Sequence, residues 1–182
     1  KCLVQSVRVI KNNKPIVSKV YIPKFILLLI KMGVNGFKMF ISVLIIVAML
    51  FVWKVPVTWN ILYSIPILLT LFTLVFGFSC YLLHYGVFVD DLSNVLNIVL
   101  RLMFYLTGIF WSIMDRLPAP YNAYIGKGNP IAFLLTSMRE CVIYGSTPHR
   151  KLLLFWFAIG LLISILGVRK IYKNENSYVK VI

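Results

Sequence analysis

Within residues 96–114 the polar and aromatic side chains collect at helical spacing. Asn97, Arg101, Phe104 or Tyr105, Gly108, Trp111 and Ser112 fall on one side of a helix, while Val99, Met103, Leu106, Ile109 and Ile113 mostly fall elsewhere. Arg101 is the one charge in this stretch. A charged residue inside an apolar span usually faces a protein interior or a cavity, since hydrocarbon solvates it badly. Its guanidinium stands about one turn from the start of the stretch, where it can pair with an anionic oxygen group such as a phosphate. Phe104, Tyr105 and Trp111 lie further along and offer flat apolar surfaces. The alternative is that Arg101 snorkels to the interface and the aromatic rings pack against another span.

Other residue types suited to chemistry are sparse. His84 and Asp90 are separated by five residues, with no nucleophile or second histidine beside them, so an acid-base pair has little to act on. Asp91 and Ser93 suit the cap of the helix that follows. Cys2, Cys80 and Cys141 fall in separate segments without metal-ligand or redox spacing, and their odd number argues against a disulfide framework. The nearest string to a phosphate-binding loop, Gly126-Lys127-Gly128, lacks both the earlier glycine and the hydroxyl residue. The chain is therefore expected to bind no cofactor and to hydrolyse no ATP by itself.

The elements that must position these residues are membrane spans. With 182 residues, 60% hydrophobic content and a mean hydropathy of +0.90, the chain is more apolar than a soluble domain, whose apolar share is about 45–50%. Four spans are expected, over 25–53, 61–84, 96–114 and 152–168, each near the ~20 residues that cross a ~30 Å hydrocarbon core. The first is overlong. Lys31 and Lys38 share one face of it, so its first half can lie at the interface with both ammonium groups snorkelling. Pro66 near the start of the second is tolerated where neighbouring helices satisfy the freed backbone groups.

The net charge of +14 does not point to nucleic acid, because the basic residues sit at the ends of apolar runs. Residues 1–24 carry six lysines and arginines and no acid, and residues 169–182 are basic as well. The positive-inside rule places both in the cytoplasm. The amino-terminal segment reads either as a topology anchor or as a short helix around 10–17 bearing Ile10, Lys11, Lys14, Ile16 and Val17, whose docking on a cytosolic partner is what the family resemblance given below implies. Residues 115–129 bring prolines, glycines and charges that no lipid-exposed helix carries, so 115–151 forms an outer hairpin. Asn129-Pro130 opens an amphipathic helix over 131–144, with Ile131, Leu134, Leu135, Met138 and Val142 apolar and Thr136, Arg139 and Glu140 polar. Such a helix suits a re-entrant or interfacial lid at an outer gate, or a passive interfacial element.

Asn129-Pro130, Arg139 nine residues after the proline, then Gly145 and Pro148 give a spacing that resembles the carboxy-terminal half of type 2 ABC-exporter permeases. Those proteins move teichoic acids, O-antigens and capsular polysaccharides. The likeness extends over nearly the whole chain, through the basic, proline-containing approach at 19–23 to the tail at 172–182, which is most similar to the teichoic-acid branch. The chain has Asp90-Asp91 where the family usually has Arg-Asp, and Gly108-Ile109 where it often has Pro-Ile. These differences bear on the polymer carried more than on the family.

The resemblance implies an all-α integral membrane fold, the carboxy-terminal part of a six-span permease, present as a fragment or as a split gene product. It further implies a separate ATP-binding subunit using ATP and Mg, a permease homodimer in a bacterial plasma membrane, and a lipid-linked polymer as cargo. Two other function classes stand beside it. A membrane-embedded glycan-modifying enzyme would need a reacting set of residues. An ion-coupled secondary transporter would place acids within its spans, where this chain has only Lys31, Lys38 and Arg101.

Overall fold

The computed structural model describes residues 1–17, 19, 22–54, 58–89, 91–107, 126, 128–175 and 177–178. These are organised as helices, with no strand among the described residues. Three short helices come first, α1 (Cys2–Val7), α2 (Val9–Asn12) and α3 (Lys14–Val17). The long α4 (Lys24–Val52) follows, then a 3₁₀ turn at Trp59–Tyr63 that runs into α5 (Ser64–Phe88). After these come α6 (Leu92–Leu106), α7 (Pro130–Val142) and α8 (Arg150–Lys173).

Among the described residues three helical stretches are long and apolar enough to cross a membrane: Lys24–Val52, Trp59–Phe88 and Arg150–Lys173. They answer to three of the four expected spans, and the chain is an all-α membrane protein. The helix around Arg101 begins four residues before position 96 and is described for 15 residues. At 1.5 Å per residue that is about 22 Å, less than a hydrocarbon core. The rest of the expected span, 108–114, lies outside the described residues, as do Pro118 and Pro120 of the hairpin.

The central contact is between α5 and α8, and small residues make it possible. Gly160, Ser164 and Gly167 form one stripe of α8, facing Thr73, Gly77 and Cys80 on α5. A methyl group at Gly77 would lie 2.8 Å from the Ile163 side chain and 2.9 Å from the Ser164 amide nitrogen. At Gly167 it would lie 2.7 Å from Cys80 Cβ. Without a hydrophobic drive between helices in lipid, such close backbone approach supplies the dispersion contacts that hold spans together. The Ser164 hydroxyl completes the seam, donating to the Thr73 carbonyl at 2.9 Å or the Gly160 carbonyl at 2.7 Å.

Two cores lie at opposite ends of this pair. At one end α7 packs on the starts of α5 and α8, where Phe133, Leu134 and Cys141 meet Ile67, Leu74 and Leu153. At the other, Val9, Ile10 and Val17 join Leu27 and Leu28 of α4, Leu83 and Val87 of α5, and Ile171 of α8. There α1 lies so close to α5 that a side chain on Gly86 would collide with the Val7 carbonyl. The second half of α4 leaves this core. Phe40, Ile45 and Phe51 are among its exposed apolar residues, which suits a helix with lipid as its neighbour.

α7 starts at Pro130, the expected first helical position, and Leu134 and Met138 of the expected stripe pack into the core. Ala132, Phe133, Ser137 and Cys141 are buried too while Ile131 is exposed, so the buried face is rotated from the sequence pattern. Small residues set this rotation: Ala132, Ser137 and Cys141 let the helix axis come close to α5, while Ile131 stays exposed. The tail differs too. α8 continues to Lys173, and the chain then turns back so that Glu175 and Tyr178 are buried.

Candidate functional site

A groove of about 390 Å³ runs between α1 and α6, and it gathers the polar side of α6. Asn97, Arg101 and Phe104 contribute from positions i, i+4 and i+7 of α6, and Gln5 of α1 and Lys1, the residue that precedes α1, contribute from the other side. Two cations, two amides and one aromatic ring thus line a space whose remaining walls are Val4 and Leu100. Arg101 is exposed and has no ion-pair partner among the described residues. An unneutralised guanidinium with a lysine opposite is suited to an anionic oxygen ligand such as phosphate, which planar N–H donors bind in pairs.

The groove is braced from α4. Asn35 Nδ2 donates to Gln5 Oε1 at 2.7 Å or to the Lys31 carbonyl at 2.9 Å, so α4 holds the Gln5 amide in place. Lys31 and Lys38 flank Asn35 on the same helix and are exposed. The polar face of the overlong span therefore turns toward the side of the molecule that carries the groove, and the two lysines add to its positive potential.

The structure brings together part of the predicted path. Asn97, Arg101 and Phe104 share the groove. Tyr105 stands beside them, 68% exposed, with its ring edge-on to Phe104 at 5.7 Å. Gly108, Trp111 and Ser112 lie outside the described residues. Lys1 and Gln5 were missed by sequence reasoning, because nothing in a six-residue amino-terminal helix marks which side meets a helix some ninety positions later.

The outer-hairpin residues take mainly local roles. Asn129 Oδ1 accepts from the Ile131 amide at 3.0 Å and the Ala132 amide at 3.4 Å, and Pro130 occupies the first turn. This is an N-cap with proline where no donor is needed. Thr136 donates to the Ala132 carbonyl at 2.9 Å, and the Glu140 carbonyl accepts from the Ser146 amide at 3.0 Å. Thr136, Arg139 and Glu140 are half-buried. Gly145, with φ of 62°, turns the chain after α7, and its carbonyl accepts from Asn60. Burial, and then the charge of Glu140, pushes the Cys141 thiol up from its ordinary range, which keeps it protonated and unreactive.

The expected partner-coupling residues divide. Ile10 and Val17 are 1% and 8% exposed and belong to the chain's own core, so they are not a docking surface. Short helices of four residues turn one side inward whatever the partner does, and the apolar side was the one to go. Ile16, at 47% exposure, and Lys14 point outward, and Lys11 is half-buried. His84, weighed against Asp90 as an acid-base pair, has Nδ1 in a 2.7 Å hydrogen bond with the Tyr178 hydroxyl, and Asp90 lies outside the described residues. Among the described residues no group of three or more His, Cys, Asp or Glu could hold a metal ion.

No family model matches the sequence. Two curated proteins do, both O-antigen export system permease protein RfbA from Klebsiella pneumoniae. They are 25% and 23% identical over 173 residues, or 93% of this chain. The chain is similar to O-antigen export permeases. It spans 65% of the length of each of these relatives, and a match over 93% of the chain takes in α6 and α7.

Proposed function

We propose that the chain is part of the membrane permease subunit of an ATP-driven exporter that moves a lipid-linked cell-surface polysaccharide across the plasma membrane. The observation that carries this reading is the groove between α1 and α6, which sets Arg101 and Lys1 beside Phe104 in an otherwise apolar chain. A phosphate-linked lipid carrier presents an anion next to sugar, and this lining offers a cation pair next to an aromatic face. The similarity to permeases named for O-antigen export supports a polysaccharide cargo. A teichoic acid, favoured by the resemblance of the tail, is a phosphate-rich polymer that fits the same lining.

In this reading the energy comes from a separate ATP-binding subunit, with Mg-ATP bound there, and the permease works as a pair of copies. Both termini of the chain face the cytoplasm, Ile16 and Lys14 face the ATP-binding subunit, and α7 with Asn129, Pro130, Thr136, Arg139 and Glu140 stands at the outer gate. Deleting the gene in the source bacterium tests the whole proposal. Polymer should accumulate inside the cell and vanish from its surface, and the full-length gene should restore it. Unchanged surface polymer in the deletion strain would reject the reading.

A further inference from the structure

The residues beyond α8 close a clasp over the amino-terminal segment. Tyr178 is fully buried in the core that also holds Ile10, Val17, Leu28 and Leu83. Its hydroxyl meets His84 Nδ1 on α5 at 2.7 Å. Three residues earlier, Glu175 is buried against Lys24, the first residue of α4, with Nζ and Oε1 2.9 Å apart. A lysine or glutamate is almost never buried unless paired. Apolar residues would hold this junction at least as well, whereas a buried ion pair penalises every register that leaves one charge alone. Lys24 opens the span that follows the segment bearing Lys14 and Ile16, and Tyr178 packs in the same core as Ile10 and Val17 of that segment, so the tail touches both sides of the junction.

We infer that Glu175 and Tyr178 are positioning residues that hold the segment anchored by Ile10 and Val17 so that its exposed Lys14 and Ile16 meet the nucleotide-hydrolysing partner, and that link this segment to α5 and α8 through Lys24 and His84. The inference rests on the exporter reading above. It gives the carboxy-terminal turn a part in coupling, acting from the same end of the helix pair as the amino-terminal segment.

The test uses the full-length permease with its ATP-binding partner, in a background without native cysteines and with Ile10→Cys as reporter. Glu175→Gln, Tyr178→Phe and the charge-swapped pair Lys24→Glu with Glu175→Lys are compared for maleimide labelling at position 10 and for ATP hydrolysed per polymer exported. Glu175→Gln should raise the labelling rate by about tenfold through local opening, and should raise ATP consumed per polymer several-fold. Tyr178→Phe should act in the same direction more weakly, and the swapped pair should return both readings toward the starting values. Labelling that rises with an unchanged ATP-to-polymer ratio would reduce the two residues to packing and overturn the inference, as would unchanged labelling in both Glu175→Gln and Tyr178→Phe. A permease that recruits no ATP-hydrolysing partner, while labelling still responds, would overturn the exporter reading and the coupling role together and leave only the clasp.

Discussion

Arg101 owes its interest to what surrounds it: a lysine, two amides and an aromatic ring, with no carboxylate at hand among the described residues. A charge-assisted hydrogen bond is worth about 1.5–3 kcal/mol, so Arg101→Ala should cut export roughly 10- to 100-fold while leaving membrane insertion intact. Arg101→Lys should recover only part of the loss, because an ammonium lacks the planar fork. Surface polymer measured in complemented deletion cells reads both. Met103→Ala, away from the groove, should be mild. A second residue-scale expectation concerns Tyr178. Burial first, and then the charge of Glu175, pushes its phenol up to about 12. A phenol held neutral by docking stabilises the docked tail fully below its ordinary value near 10 and loses that contribution as pH rises through 12. Phenolate absorbance should therefore show a late-titrating component that disappears in Tyr178→Phe.

The helices differ in how much of them could be read beforehand. The spans at 25–53, 61–84 and 152–168 were legible because twenty-odd apolar residues have few other solutions, and helices cover them. The α5–α8 seam was not, since Gly77, Gly160 and Gly167 look like helix-weakening residues until the opposing backbone is in view. Gly77→Leu would force side chains apart where 2.8 Å separates a methyl from Ile163. Overpacking of this kind costs about 1–3 kcal/mol and should lower the detergent melting temperature. The rotation of α7 escaped for a related reason: a hydrophobicity pattern ranks Ile131 above Ser137, and close packing ranks them the other way. The groove was half legible, through the spacing of Asn97, Arg101 and Phe104. Its α1 wall and the Tyr178–His84 bond, 94 residues apart, depend on tertiary approach that no local pattern carries.

At the scale of the whole molecule, the pair α5–α8 separates two ends with different chemistry. The basic amino-terminal segment and the tail share one end, and α7 occupies the other. Cysteines placed at positions 16 and 140 should thus react with a membrane-impermeant reagent from opposite sides, position 140 from outside. Labelling of both from one side would contradict the placement. In the exporter reading the polymer passes along the α1–α6 groove, and a photo-crosslinking amino acid in the full-length permease probes that path. Placed at position 104 during active export, it should yield a permease adduct that reacts with a polymer-specific antibody, whereas at Leu162, exposed on α8, it should yield none. Export that proceeds with no polymer adduct at position 97 or 104 would contradict the account.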